Sequence, residues 1–138
     1  MIDVSDLLGK PFAWGGRGPD AYDCWGLVVE VARRAGITLP DMNHPADGEL
    51  CGQIWKELCG QRMGKDFIRI ERPEPWCLVA FQFFGQWHAG IVLENASQFI
   101  HVVERQNVTA PSLYCEMWQP FFRGFYRYVG QGCRHICS

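Results

Sequence analysis

Cys24, His88 and His101 are the side chains whose types and surroundings suit covalent chemistry. Cys24 follows a glycine-rich stretch and opens an apolar helical pattern, and Asp23 before it is a good N-cap residue. A cysteine at the first helical position meets free backbone N–H groups and the positive end of the helix dipole, which favour an anion. Such a setting lowers a thiol's pKa below about 8.5, and the thiolate is the nucleophile. Attack on an acyl carbon also needs an imidazole to move the proton and a third group to orient that ring. His88 opens the run His88-Ala89-Gly90-Ile91-Val92-Leu93, and His101 lies within Phe99-Ile100-His101-Val102. If these strands pair across the turn at Asn95–Gln98, the two imidazoles come close on one face. From the residues alone the plainer readings stay open. Cys24 also reads as a small buried apolar side chain, and each histidine as a hydrogen-bonded strand residue. His44, in a Pro/Asp loop, and His135, in the tail, read as solvated.

The elements that must position these groups follow from composition and period. Residues 7–23 hold four Gly and two Pro, which is loop chemistry. From Cys24 to Ala35 the period is helical: Leu27, Val28, Val31 and Ala35 share a face, Arg33 and Arg34 fall in the last turn, and Gly36 stops it. A second helix is expected from about Glu49 to Arg62, with Leu50, Ile54, Trp55 and Leu58 buried. The second half changes period. Phe67-Ile68-Arg69-Ile70 reads as a strand, and residues 78–84 and 87–93 as a hairpin around Gly85-Gln86. Phe99 to Val103 is the next strand and Gly124 to Val129 a closing one. Helices first and an antiparallel meander second predict an α+β domain.

Length and charge bound the rest. The chain has 138 residues without repeat, long linker or low-complexity stretch, so one domain over residues 1–138 is expected. Apolar residues make up 48% and charged residues 20%, too apolar for disorder. Thirteen Lys and Arg against 15 Asp and Glu give a net charge of -2, which argues against nucleic acid as the main partner. No apolar run has the roughly 18 residues of a membrane span. Met1-Ile2-Asp3-Val4-Ser5-Asp6 lacks a basic n-region and a long apolar stretch, so no signal peptide is expected. Synthesis in a reducing cytoplasm, with the seven cysteines mostly as thiols, is the corresponding expectation. Cys133-Arg134-His135-Ile136-Cys137 lacks paired CxxC spacing and reads as a tail with incidental thiols, not a zinc site. Cys51, Cys59, Cys77 and Cys115 read as core or surface fillers.

Pro11-Phe12-Ala13-Trp14-Gly15-Gly16, Asp23-Cys24-Trp25-Gly26-Leu27, His88-Ala89-Gly90-Ile91 and Ile100-His101 resemble, in order and spacing, the NlpC-like cysteine peptidases. These are small papain-like enzymes that cut peptidoglycan stem peptides. The resemblance covers about residues 7–103. Trp25 after the cysteine and the ending Phe121-Phe122-Arg123-Gly124-Phe125-Tyr126-Arg127 resemble the tailed-phage branch, found in tail-tip assemblies or prophage regions. The resemblance implies Cys24 as nucleophile, His88 as general base and His101 as the polar third member. It further implies that the Cys24 backbone N–H helps form an oxyanion hole. The implied target is an amide bond, often between γ-D-glutamate and a diamino acid, cut without metal or organic cofactor.

Phe12, Trp14, Asp23, Trp25 and Arg17 are the candidate substrate-binding residues. Trp14, Trp55, Trp76, Trp87 and Trp118 read first as packing side chains, and Trp14 and Trp25, near Cys24, are the candidate walls of a cleft. Arg17 is read by default as a solvated loop charge, with contact to a substrate carboxylate as its functional alternative. Phe12 replaces the family's usual Tyr, Trp25 its usual Ser, and Trp76-Cys77 its usual Gly-Asp. Besides the stem peptide, the expected partners are phage tail-tip proteins, and the expected location is a virion tail or the periplasm. Two other classes remain: a structural tail-tip protein with little activity, and an acyltransferase using the same Cys/His pair.

Overall fold

The computed structural model describes residues 2–40, 66–83 and 86–130. Helix α1, Cys24–Arg34, starts where Asp23 ends an extended stretch and accepts the Gly26 N–H at 2.6 Å. Its apolar residues recur at helical spacing, so Trp25, Leu27, Val28, Val31 and Ala32 are buried. Gly36 takes the left-handed φ of 84° that ends a helix without a Cβ clash. Arg34, in the last turn, bonds Glu30 at 2.7 Å and Asp6 at 2.6 Å, tying α1 to the 3-10 turn Ser5–Leu7.

Five antiparallel strands make one sheet: β1 Phe67–Ile70, β2 Leu78–Phe83, β3 Gln86–Val92, β4 Phe99–Ile100 and β5 Phe122–Tyr128. Their order is β1-β5-β2-β3-β4. The expected meander thus holds for β2 to β4, but β5 inserts between β1 and β2. There it satisfies backbone groups on both of its edges. Its register against β2 shifts between Ala80 and Phe81, so Arg123 is an extra, unpaired residue beside Gly124, whose φ is 141°.

The sheet is apolar on both faces. Leu78, Ala89, Ile91 and Ile100 share a core with Leu27, Val28 and Val31 of α1. Val79, Phe81, Val92 and Phe99 form a second core with Leu113, Trp118, Phe122 and Phe125. Two covered faces explain why Leu78-Val79-Ala80-Phe81 is a continuous apolar run instead of an alternating one. The Asn95–Gln98 turn forms as expected: the Asn95 Oδ1 accepts the N–H groups of Ser97 at 2.9 Å and Gln98 at 3.1 Å.

The strand expected over 99–103 shortens to two residues. After Ile100 the backbone of His101 exchanges its N–H and C=O bonds with Thr109, both at 3.1 Å, and leaves the β3 ladder. The helix expected over 49–62 lies outside the described residues. Among the described residues, no helix is long and apolar enough to cross a membrane. The architecture is α+β, a helix packed on an antiparallel sheet.

Candidate active site

The glycine-rich loop is clamped to the first turn of α1 by Asp23. That carboxylate is fully buried, and both its oxygens are used. Oδ1 accepts from the Gly26 N–H at 2.6 Å and from Arg17 Nη1 at 2.8 Å, and Oδ2 accepts from the Gly15 N–H at 3.1 Å. A buried charge persists only when paired and hydrogen-bonded in this way. Loop and helix approach so closely that a side-chain carbon at Gly26 would run into the Gly16 carbonyl oxygen. Cys24 is thereby set at the helix start, half-buried. Arg17 also balances the Asp23 charge beside that thiol, leaving the helix end to act on it.

Helix α1 packs against β3, the strand that carries His88. Ala89 and Ile91 lie in the core shared with α1, whereas His88 and Val92 turn to the second core, where Phe81 faces His88 across the hairpin. Nε2 of His88 lies 2.8 Å from Nδ1 of His101, and both rings are buried. Gly90 makes that approach possible. A Cβ there would come within 3.0 Å of Phe99 Cδ2, 3.1 Å of the Ile100 oxygen and 3.2 Å of His101 Cβ.

Aromatic rings surround the pair. Trp118 meets His101 edge-to-face at 4.6 Å between ring centres, Phe99 lies 4.7 Å from His101, and Phe81 stacks on His88 at 5.9 Å. Burial pushes His101 down to about 4. Burial, and then the neighbouring His101, holds His88 well below the ordinary imidazole range. Both histidines are therefore neutral at pH 7, and one N–H joins the two rings.

The model of the NlpC/P60 family matches residues 9–127, from the glycine-rich loop through nearly all of β5. The chain belongs to the NlpC/P60 family. It is 52% identical over 128 residues to the probable endopeptidase p60 of Listeria monocytogenes, which covers 92% of this chain and 23% of that protein. With the probable endopeptidase p60 of Listeria innocua it shares 29% identity over 128 residues, 92% of this chain and 24% of that protein. The chain thus spans about a quarter of the length of these relatives. Among solved structures, an NLP/P60 protein of Staphylococcus aureus described as similar to lipoprotein has a TM-score of 0.59 at 23% identity. That match covers 90% of this chain and 38% of the other. An NlpC/P60 protein of Bacillus cereus has a TM-score of 0.59 at 19% identity, covering 90% of this chain and 37% of the other. These structures share the fold.

Within this NlpC/P60 domain, several residues read as substrate contacts have other duties. Trp25 is fully buried and donates its indole N–H to the Pro40 carbonyl at 2.9 Å, so it fills the core and lines no cleft. Asp23 is consumed by its cap and loop bonds. Arg17 is neither a solvated charge nor an unengaged anion receptor, because it pairs with Asp23 and also donates to the Gly16 carbonyl at 2.9 Å. Phe12 and Trp14 remain half-buried, edge-to-face at 4.7 Å.

Cys77 is a core filler, buried, with its thiol pushed up to about 11 by burial. Cys115 is half-buried. His44, His135, Cys51, Cys59, Cys133 and Cys137 lie outside the described residues. Among the described residues, no group of three or more His, Cys, Asp or Glu can hold a metal ion. Sequence reasoning missed Phe81 and Trp118 as the cover of the histidine pair. The first is signalled by its place across from His88, whereas no spacing rule links Trp118 to His101.

Proposed function

We propose that this NlpC/P60 domain is a cysteine hydrolase that cuts an amide bond in peptidoglycan stem peptides. Cys24 is the nucleophile, His88 the general base and acid, and His101 the group that orients His88. The observation that carries this reading is the buried 2.8 Å contact between His88 Nε2 and His101 Nδ1; His88 lies on β3, whose Ala89 and Ile91 share a core with α1.

That contact admits a proton on either nitrogen, and the proposed chemistry requires it on His88 Nε2. When His88 donates its Nε2–H to His101, its Nδ1 keeps a lone pair and takes the thiol proton as Sγ attacks the acyl carbon. The resulting imidazolium gives the proton to the leaving amine as the C–N bond breaks. Water then attacks the Cys24 thioester, with His88 as base, and releases the acid and the thiol. The Cys24 backbone N–H at the helix start faces the developing oxyanion. Burial keeps His88 neutral at pH 7, so a ring lone pair is present to take the thiol proton.

The p60 relatives, described as probable endopeptidases, support a peptidase reading. The bond between γ-D-glutamate and a diamino acid is the target this proposal names. Its setting is a phage or prophage tail, supported by the resemblance of the Trp25 and 121–127 motifs to that branch. Digestion of purified muropeptides by the wild type and by Cys24→Ser, read by mass spectrometry, tests it. A fragment pair made only by the wild type is expected. Equal cleavage by both proteins, or by neither, contradicts it.

A further inference from the structure

The aromatic cover of the histidine pair has a part of its own, and the inference rests on the reading of His88 and His101 given above. Trp118 caps the 3-10 turn Gln119–Phe121, remote in sequence from either histidine. Its ring meets His101 at 86° and 4.6 Å, near the preferred edge-to-face geometry, and reaches His88 at 6.1 Å and Phe81 at 5.5 Å. His101 has left the β3 ladder, so β-pairing with β3 does not fix its ring; its backbone is held by Thr109 instead.

We propose that Trp118 is a positioning residue for the histidine pair. Its edge-to-face contact fixes the rotation of the His101 imidazole so that Nδ1 stays aimed at His88 Nε2. Phe99, on the same short segment at 4.7 Å and 55°, completes the clamp on His101.

Trp118 has a second effect. It is a wall of an apolar groove of about 340 Å³, together with Phe81, Leu113, Tyr114 and Phe122. Trp118 thus separates His101 from the groove, and shortening it lets water reach the imidazole. Water would relieve the desolvation that keeps His101 neutral, so its titration would move up toward 6.5. The titratable group that faces His101 is His88 on β3. Phe81 on β2 and Thr109 opposite His101 do not titrate in this range.

The test compares wild type, Trp118→Phe, Trp118→Leu and Trp118→Ala by long-range ¹H–¹⁵N NMR of the imidazoles across pH, and by muropeptide turnover. The wild type is expected to show one fixed tautomer for each ring and little titration of His101 above pH 5. In Trp118→Ala the His101 midpoint rises by at least one unit and the tautomers average. Its kcat falls on the order of ten- to a hundredfold, as for other small misplacements of a catalytic group, with KM little changed. Trp118→Phe, which keeps a ring edge, restores both readouts, whereas Trp118→Leu, apolar but without a ring, restores neither. If Trp118→Ala does not fold, the Phe and Leu variants carry the comparison. Wild-type tautomers and titration in the Leu variant, or in a folded Ala variant, overturn the proposal. Because NMR reads the rings without substrate, an inactive wild type would contradict the hydrolase reading and leave this one still decided by the spectra.

Discussion

Arg17 and Asp23 look, as loop residues, like parts of a binding surface, but their bonds give them to the nucleophile instead. Asp23 caps the helix that begins with Cys24, and an uncompensated carboxylate at that point would oppose a thiolate. Arg17 at 2.8 Å removes most of that opposition. Replacing Arg17 with Met should therefore slow carboxamidomethylation of Cys24 at neutral pH and displace its pH profile upward, read on the Cys24 peptide by mass spectrometry. The variant should also lose about 1–3 kcal/mol of stability, because a buried carboxylate loses a charged partner. An unchanged alkylation profile would show that the pair serves the loop alone. The cap was legible in the sequence, since Asp before an apolar helical run is a well-defined signal. The ion pair was not, because a loop arginine reveals no partner until the loop folds back on the helix.

At the scale of elements, the site depends on β3 and β4 lying side by side with nothing between the two imidazoles. Gly90 supplies the gap. Gly90→Ala forces Phe99, the Ile100 carbonyl or the His101 Cβ to give way, and overpacking of this kind typically costs about 1–3 kcal/mol. Urea unfolding should show a loss in that range, and muropeptide turnover should fall further than the remaining folded fraction explains. Turnover in proportion to folded protein would mean that the histidine spacing is not critical.

The hairpin shows how far periodicity carries. Alternation places His88, Gly90 and Val92 on one face whatever the register. A turn at Gly85-Gln86 would set Phe83 across from His88, whereas the observed register sets Phe81 there. One residue in the turn thus leaves the faces intact and changes the neighbours. The insertion of β5 between β1 and β2 and the early end of β4 at Ile100 are tertiary choices. They are made by long-range pairing, to which a local pattern is blind.

For the whole molecule, two buried histidines kept neutral bind stability to pH. His101 titrates near 4 in the folded chain and near 6.5 when exposed, so the unfolded state takes up the proton first. Its contribution is complete above about pH 6.5 and is lost as pH falls toward 4, on the order of 3 kcal/mol from this group. His88, also depressed, adds in the same direction. The carboxylates of Glu30 and Asp6, lowered by Arg33 and Arg34, act in a more acidic window. Thermal melts between pH 7 and 4 should therefore show a steady loss of Tm that begins near 6.5, and His101→Phe should flatten it. A wild-type melt constant down to pH 5 would contradict the buried neutral pair.

The central claim is that Cys24 carries the acyl group during catalysis. Its most direct test is to quench a muropeptide digestion in acid within the first turnovers and to weigh the peptide that contains Cys24. The account predicts a mass increase equal to the acyl half of the cleaved stem peptide on Cys24, labile to hydroxylamine and missing from Cys24→Ser. Continued cleavage with Cys24 unmodified at every time point, and undiminished in Cys24→Ser, would contradict it.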